Sequence, residues 1–315
     1  MLRGPAALFA LLLTCALVAG CAGASGASGQ QRSHRAGAKV SKAGQGTGGL
    51  KTVRVQSGGH QRTYLLYVPP GDSSSHPLPL VLVFHGAGDT ARHTVSETAL
   101  PNIADHSHNM ILVFPQGYDD SWNEGTGSSA AAQAGINDVS FVATILRRVE
   151  RHYPVDMHRV IATGFSNGAL LTEYLGCALS RQLTMIAPVE GELPQATAAR
   201  CDPPLPLTVF EVHGTADDAI PYEGGAFTGV GGVPGPSVLS APSSAARWAD
   251  LDHCSDQATD RTVGQVTFAR YAGCADRMTV TLATVNGGQH AWPSGYGPTL
   301  ANAITVMPRG RTAIP

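Results

Sequence analysis

Continuous apolar runs alternate along this chain with segments that have helical periodicity. The run Leu78–Phe84 and the run at 110–114 are typical of strands that are buried on both faces. Between the second run and a third at 160–163, the apolar residues of 139–149 recur at the spacing of an amphipathic helix. Strands buried on both faces belong to parallel sheets that helices cover. The alternation predicts an α/β fold, with a mainly parallel sheet flanked by helices in a single domain at 51–315.

The same pattern continues towards the C-terminus. Either Asn137 or Asp138 can cap the first predicted helix, and a second helix is expected at 169–179. Further strands are expected at 207–212 and 278–285. We therefore expect strands and helices to alternate through most of the domain.

Composition and charge exclude several classes of protein. The chain has 315 residues, of which 43% are hydrophobic and 14% charged, so it can bury a core and lies outside the range typical of disorder. Its formal net charge of −2 argues against nucleic-acid binding, which usually depends on an excess of positive charge. Because the only long apolar run is N-terminal, a polytopic membrane protein is also excluded.

The first twenty residues have the layout of a secretory signal peptide. Arg3 gives a positive start, and an apolar region covers 5–18. The sequence Leu17-Val18-Ala19-Gly20-Cys21 resembles a bacterial lipobox, in which the cysteine is acylated and becomes the new N-terminus. We predict a lipoprotein-type signal peptide at 1–20 and a lipid anchor at Cys21, on the outer face of the cell membrane. The alternative is plain secretion to the extracellular region.

The segment at 21–50 is rich in Gly, Ala and Ser and predicts a flexible tether. Residues 44–49 spell G-x-G-x-x-G, but no predicted strand precedes them and no predicted helix follows, so we predict no dinucleotide site. No spacing of Cys and His matches a zinc site. The sequence thus predicts neither a cofactor nor a metal.

Four cysteines follow Cys21 in the chain. An exported protein meets an oxidising environment, which favours two disulfides with three possible pairings. We predict the sequential pairs, each closing a loop of about 20 residues that is worth ~3 kcal/mol. These pairs are Cys177–Cys201 and Cys254–Cys274.

A single G-x-S-x-G motif, Gly164-Phe165-Ser166-Asn167-Gly168, separates a predicted strand from a predicted helix. On a sharp strand-to-helix turn, a serine hydroxyl is exposed at the carboxyl edge of the sheet, and the glycines let neighbouring backbone approach. The amides of the following helix face developing negative charge. The motif predicts Ser166 as a nucleophile.

A serine nucleophile needs a base and an acid, which follow it in chain order in the α/β-hydrolase fold. The base is expected in the loop after the last strand. His290 lies in such a glycine-rich loop, directly after the strand expected to end at Val285, whereas His213 and His253 precede or follow other elements. Asp217 and Asp218 both follow the strand at 207–212. Because both are carboxylates, residue chemistry alone does not decide which of them is the acid.

An oxyanion hole needs two backbone amides. One is expected from Asn167, next to the nucleophile, and the other from Gly86 or Ala87 in the loop after the strand that ends at Phe84. His85 precedes this turn, and we expect it to shape the hole rather than to act as the base.

Several motifs together resemble the poly(3-hydroxybutyrate) depolymerase-like and feruloyl esterase-like serine esterases, including actinobacterial lipoprotein members. The resemblance covers about Tyr64 to Trp292. The matching motifs are Phe84-His85-Gly86, Ser121-Trp122-Asn123, Asn137-Asp138-Val139, Gly164 to Gly168, His213 to Asp217 with Pro221-Tyr222, and Gly287 to Pro293.

This resemblance implies the α/β-hydrolase fold and a Ser-Asp-His triad of Ser166, Asp217 and His290. Asp217 is favoured over Asp218 because the acid of the family follows His-Gly by three positions. The cysteine placement is similar to that of members in which both sequential disulfides form. Ala87 stands where members often have Cys, and Ala169 where many have Gly, so the shape of the substrate site can differ.

The resemblance implies an exported carboxylic ester hydrolase with small or oligomeric ester substrates, most simply feruloyl-type or short hydroxyacyl esters. Trp122, Tyr222 and Trp292 neighbour the catalytic loops and can line a substrate cleft, although each can equally pack the domain. Two alternatives are a polyhydroxyalkanoate depolymerase and a non-catalytic binding protein on the same fold.

Overall fold

The computed structural model of the protein describes residues 49–70, 76–105, 110–229, 232–255 and 257–307. The predicted signal peptide, its lipidation site Cys21 and nearly all of the predicted tether lie outside the described residues. All described residues belong to one compact unit. Within these ranges, no helix combines the length and the apolar composition that a membrane crossing requires.

A ten-stranded sheet forms the centre of this unit, with the spatial order β1-β2-β4-β3-β5-β6-β7-β10-β9-β8. The six central strands, β4-β3-β5-β6-β7-β10, run parallel to one another. Antiparallel strands flank them on both sides. In chain order the strands are β1 (Lys51–Ser57), β2 (His60–Tyr67), β3 (Leu78–Phe84), β4 (Ile111–Pro115), β5 (Val155–Phe165), β6 (Met185–Val189), β7 (Thr208–Gly214), β8 (Thr259–Val263), β9 (Val266–Tyr271) and β10 (Val280–Val285).

Helices cover both faces of the sheet. The α-helices of the described chain are α1 (Ala91–Thr98), α2 (Leu100–Ile103), α3 (Ala130–Gln133), α4 (Asp138–His152), α5 (Asn167–Leu179), α6 (Gln195–Ala198), α7 (Ala241–Leu251) and α8 (Tyr296–Val306). One face packs against α4, α5 and α7, and the other packs against α1, α2 and α8. The predicted α/β fold, with a mainly parallel sheet and a single domain, is confirmed.

Helix α4 shows how the sequence specifies these elements. Asn137 is its cap, because the Asn137 side-chain oxygen accepts a hydrogen bond from the Ser140 amide at 2.8 Å. Asp138 instead forms a buried ion pair with Arg62, at 2.8 Å. Phe141 and Ile145 are fully buried against the sheet. Burying each such side chain stabilises the fold by about 1.5–3 kcal/mol.

Both predicted disulfides are present. The Cys177–Cys201 bond joins the end of α5 to the chain after α6, and the Cys254–Cys274 bond joins the chain after α7 to the chain after β9. The strands β5, β7 and β10, which precede the predicted triad residues, all end at the same edge of the sheet. The fold therefore brings three distant loops together at that edge.

Candidate active site

Ser166 lies on a strained turn between β5 and α5. Its backbone has φ 56° and ψ −121°, a conformation that costs a non-glycine residue about 1–3 kcal/mol. The turn is held because the Ser166 amide donates to the Val189 carbonyl at 3.0 Å, and the Ser166 carbonyl accepts from Leu170 at 3.0 Å. The strain thus places the serine at the N-terminus of α5, as the G-x-S-x-G motif predicts.

Close backbone contacts explain the two glycines of the motif. A Cβ atom on Gly164 would lie 2.3 Å from the Gly168 carbonyl oxygen. A Cβ atom on Gly168 would lie 2.5 Å from the carbonyl oxygens of both Phe84 and His85. No other residue fits at either position without moving the backbone around Ser166.

The structure brings the other two predicted triad residues together beside this turn. His290 Nδ1 lies 2.7 Å from Asp217 Oδ2, and the His290 ring packs 4.7 Å from the ring of Phe165, the residue before Ser166. Asp217 Oδ1 accepts hydrogen bonds from the Ala219 and Ile220 amides, at 2.8 and 2.9 Å. Asp217 is buried, whereas Asp218 is exposed and lies outside this network.

The loops that carry Asp217 and His290 are joined by hydrogen bonds. The Ala216 amide donates to the Gly288 carbonyl at 2.8 Å, and the Thr215 amide donates to the Val285 carbonyl at 3.0 Å. The Gly287 amide donates to the Thr215 hydroxyl at 2.8 Å. These bonds continue the β7–β10 pairing beyond the sheet and fix the acid relative to the imidazole.

A buried charged cluster lies directly behind Asp217. His213 is fully buried, and its Nε2 lies 3.1 Å from Asp217 Oδ2 while its Nδ1 contacts the Glu192 carboxylate. Glu190 approaches from the same side, with its Oε2 3.5 Å from His213 Nε2 and 2.9 Å from the Gly214 amide. Sequence reasoning missed this cluster, because neither glutamate belongs to a recognised motif.

The cluster changes the proton affinity of its members. Burial disfavours the charged form of each group, but hydrogen bonds from His213 and His290 hold the pKa of Asp217 well below its usual range. Burial likewise opposes a charge on His213, yet the Glu192, Asp217 and Glu190 carboxylates raise the His213 pKa to about 11. Burial raises the pKa of Glu190 to about 8.

Two amides next to Ser166 are available to bind an oxyanion. Within the described part of the chain, the backbone amides of Ala87 and Asn167 donate no hydrogen bond to another residue, and both residues line the cavity at Ser166. Gly86 packs against the Phe165 ring and is not part of that lining. Ala87 and Asn167 therefore fit the predicted oxyanion hole better than Gly86.

His85 supports this loop from the interior. Its Nε2 accepts a hydrogen bond from the Gly117 amide at 2.9 Å, so its Nδ1 carries the proton and donates to the Gly86 carbonyl at 2.7 Å. Burial lowers the pKa of His85, which keeps the ring neutral. These contacts give His85 the shaping role expected from the sequence.

A cavity of about 260 Å³ opens at Ser166. One wall is apolar, and small polar residues and the exposed carboxylates of Asp119 and Asp120 form the other. Its lining, as far as the structure describes the chain, contains neither lysine nor arginine. The apolar wall consists of Leu170, Ile220, Phe227, Val233, Pro234 and Pro236.

The three aromatic residues named from the sequence as cleft candidates lie elsewhere. Trp122 is fully buried and donates from its indole nitrogen to the His85 carbonyl at 2.8 Å, so it is a core residue. Tyr222 bonds Thr284 on β10 at 2.9 Å and also does not line the cavity. Trp292 stacks on Phe165 at 5.6 Å, on the same side as His290. Phe227 and Leu170, which do line the cavity, were not predicted.

Glu190, His213 and Asp217 have side chains of the types that bind metals. Each of their facing atoms already has a hydrogen-bond partner in the protein, namely the Gly214 amide, the Ile220 carbonyl and the His290 ring. We therefore assign no metal to this cluster.

Several known esterases are similar to this chain. Feruloyl esterase B from Piromyces equi is 27% identical over 239 residues, which are 74% of this chain and 43% of that protein, so the chain spans under half of its length. A probable feruloyl esterase C from Aspergillus niger is 24% identical over 81% of this chain and 87% of its own length. Among solved structures, an acetyl xylan esterase from Aspergillus awamori has a TM-score of 0.63 at 12% identity, covering 82% of this chain and 99% of that one. This likeness supports the fold.

The sequence profile of the phospholipase/carboxylesterase family matches residues 71–228, which include Ser166 and Asp217. His290 lies beyond the matched segment, in the loop that the β7–β10 pairing places beside Asp217. The predicted resemblance to serine esterases of the α/β-hydrolase fold is thereby confirmed. The chain belongs to the phospholipase/carboxylesterase family, whose members are carboxylic ester hydrolases.

Proposed function

We propose that this protein hydrolyses neutral carboxylic esters through a covalent acyl-enzyme, with Ser166, Asp217 and His290 as its catalytic triad. The observation that carries the proposal is the 2.7 Å pairing of His290 with Asp217 beside the strained turn that presents Ser166 to the cavity. Family membership supports the ester as the bond that is cleaved.

The geometry supports the following course of reaction. His290 takes the proton from the Ser166 hydroxyl as its oxygen attacks the ester carbonyl carbon, and Asp217 stabilises the resulting imidazolium. The amides of Ala87 and Asn167 donate to the oxyanion of the tetrahedral intermediate. His290 then protonates the departing alcohol, and a water molecule repeats the attack on the acyl-enzyme to release the acid.

The cavity supports an uncharged acyl group. The described lining offers no lysine or arginine to pair with a negatively charged acyl group, and Asp119 and Asp120 would repel such a group. The apolar wall suits an aromatic ring or a short aliphatic chain. The two aspartates at the exposed side can accept a hydrogen bond from a phenolic or alcoholic hydroxyl, so feruloyl-type and short hydroxyacyl esters fit best.

The cellular location is also part of the proposal. We propose that the chain is exported and held at the outer face of the membrane by a lipid on Cys21. The two disulfides support an oxidising environment. Metabolic labelling with a palmitate analogue tests the anchor, with Cys21→Ser as the control that abolishes incorporation.

A fluorophosphonate probe tests the nucleophile. The wild-type chain should be labelled at Ser166, and Ser166→Ala should lose both the label and at least about 10⁴-fold of the esterase rate. A wild-type chain that takes no label and hydrolyses no ester would support the non-catalytic binding protein instead.

A substrate panel then tests the acyl preference. Methyl ferulate, a hydroxybutyrate oligomer, a succinate monoester and a p-nitrophenyl acetate standard should be compared by kcat/KM. We expect the succinate monoester to be poorest, because its free carboxylate meets Asp119 and Asp120. Faster turnover of the hydroxybutyrate oligomer than of methyl ferulate would favour a polyhydroxyalkanoate depolymerase.

A further inference from the structure

Asp217 is held between two histidines rather than bonded to one. Its Oδ2 lies 2.7 Å from His290 Nδ1 on the solvent side and 3.1 Å from His213 Nε2 on the interior side. His213 and the carboxyl group of Asp217 are both fully buried. The Asp217 carboxylate that pairs with His290 is thus also in contact with a second imidazole.

The hydrogen-bond partners of His213 determine where its protons lie. His213 Nε2 is 2.9 Å from the Ile220 carbonyl oxygen, which can only accept, so Nε2 must carry a proton. His213 Nδ1 faces a carboxylate oxygen of Glu192, so a second proton lies between those two atoms. The Nε2–H therefore points towards the Ile220 carbonyl oxygen, with the Asp217 carboxylate 3.1 Å from the same nitrogen, whichever of the two groups holds the second proton.

We propose that His213 is a positioning residue of the triad, whose Nε2–H and positive charge hold the Asp217 carboxylate against His290. This inference rests on the proposed ester hydrolysis. His213 does not line the cavity, so it acts on the reaction only through Asp217. With Glu192 behind it, the arrangement extends the triad inward as Glu192, His213, Asp217, His290 and Ser166.

The groups around His213 favour a cation on its ring. Three carboxyl groups, from Glu190, Glu192 and Asp217, contact it from the loop after β6 and from the acid loop. The Tyr222 ring packs edge-on at 5.8 Å. Among the described residues, no lysine or arginine has an ion pair with any of these carboxyl groups. The resulting rise in the His213 pKa, to about 11, agrees with an imidazolium at neutral pH.

The wild-type protein provides the first test. In nitrogen-15 NMR spectra of the labelled full chain, both ring nitrogens of His213 should stay protonated from about pH 6 to pH 9. A His213 ring that loses a proton within that interval overturns the charged part of the proposal.

Two substitutions separate the hydrogen bond from the charge. His213→Gln keeps a neutral N–H donor close to the position of Nε2, and His213→Leu removes both donor and charge. We expect kcat per active site to fall roughly 10-fold for Gln and roughly 100-fold for Leu, with KM unchanged, because only the alignment of the acid is lost. Active sites are counted with the fluorophosphonate probe, so that misfolded protein is not included.

The pH profile gives a readout that a purely structural role would not move. Removing a cation beside Asp217 favours a proton on the neighbouring base, so the acidic limb of the kcat/KM profile should move upward by about half a pH unit or more in both variants. Glu192→Gln removes the carboxylate at His213 Nδ1, and when nitrogen-15 spectra of this variant show that the ring has lost its second proton, the limb should move in the same direction. This variant also keeps the test open if the His213 variants fail to fold.

Asp138→Asn is the matched control, because it breaks a buried ion pair with Arg62 away from the triad. It should lower the melting temperature while leaving kcat per active site and the acidic limb unchanged. If the His213 variants behave in the same way, His213 is only structural and the proposal is overturned. Failure of the proposed function is distinct, because the wild-type chain itself would then neither hydrolyse esters nor take the probe.

Discussion

Gly214 and Gly288 touch through their backbones at the point where the acid loop meets the loop of the base. A Cβ atom on Gly214 would lie 2.3 Å from the Gly288 carbonyl oxygen, and that oxygen also accepts the Ala216 amide hydrogen bond at 2.8 Å. Because the contact is between backbone atoms, no side-chain rotation can relieve it. The distance between Asp217 and His290 therefore depends on glycine at position 214.

Gly214→Ala should separate the two loops and lower kcat roughly 100-fold, since a shift of about 1 Å in catalytic geometry can cost that much. Steady-state kinetics on p-nitrophenyl acetate, normalised to active sites, measure the effect. Gly264→Ala is the control, because Gly264 lies in the β8–β9 turn and has nothing near its Cβ position, although its φ is positive. It should lower stability and leave kcat unchanged. Equal kcat values for the two variants would contradict the role given to the glycine contact.

Phe227 should set the size of the acyl cavity. It packs with Leu170, Ile220 and Val238, and Gly235 lies so close that a Cβ atom there would be 2.3 Å from the Phe227 ring. Phe227→Ala should enlarge the cavity, raising KM for acetyl esters and improving kcat/KM for longer acyl chains relative to acetyl. A series of p-nitrophenyl esters from acetate to octanoate measures the shift, with the exposed Val263→Ala as a control. An unchanged chain-length profile would place the acyl group elsewhere.

Stability should decrease as the pH rises from about 5 to about 8. Burial raises the pKa of Glu190 and Glu211 from 4.5 to about 8, so the folded chain keeps two protons that the unfolded chain loses across this interval. The raised pKa of His213 acts in the same direction from 6.5 upward, whereas the lowered pKa of Asp217 costs stability only below about 3.8. Each such proton changes the free energy of unfolding by up to about 1.4 kcal/mol per pH unit.

Urea unfolding at pH 5 and pH 8 measures this difference. Glu211→Gln should reduce it, because the amide cannot ionise in the buried site, and Asp260→Asn on the exposed strand β8 should not. A free energy of unfolding that stays constant between the two pH values would show that these carboxyl groups are not held neutral.

The Cys177–Cys201 disulfide should stabilise the fold by about 3 kcal/mol, the value for closing a loop of this length in the unfolded chain. Replacing both cysteines by serine should lower the midpoint of urea unfolding without changing kcat, because the bond joins the far end of α5 to the chain after α6. The single Cys201→Ser variant cannot replace the double variant, because it leaves Cys177 as a reactive thiol. A double variant as stable as the wild type would contradict the assigned contribution.

Sequence patterns predicted the elements whose secondary structure is determined by their own residues. Strand β3 is buried at nearly every position and was expected over the same residues, and Ser166 was marked by a motif whose two glycines the backbone contacts require. The hairpin β8–β9 was not expected. Every residue of β8 is exposed, so it shows no apolar alternation, and its pairing with β9 alone makes it a strand.

The cavity was the part that local patterns could not show. Apart from Leu170, its apolar wall comes from residues 220–229 and 232–236, which are held by isolated bridges such as that of Gly225 with Val238. Such positions depend on contacts between distant segments and carry no periodicity. For the same reason Trp122, which neighbours the catalytic loops in sequence, is a core residue.

The pairing of β10 with β7 has a consequence for how activity arises. Ser166 and Asp217, the proposed nucleophile and acid, are synthesised well before His290, and the pairing of β10 with β7 brings His290 to Asp217. A chain released before that strand has Ser166 but no imidazole to activate it. In a refolding reaction, the time at which ester hydrolysis begins would therefore report when strand β10 has paired with β7.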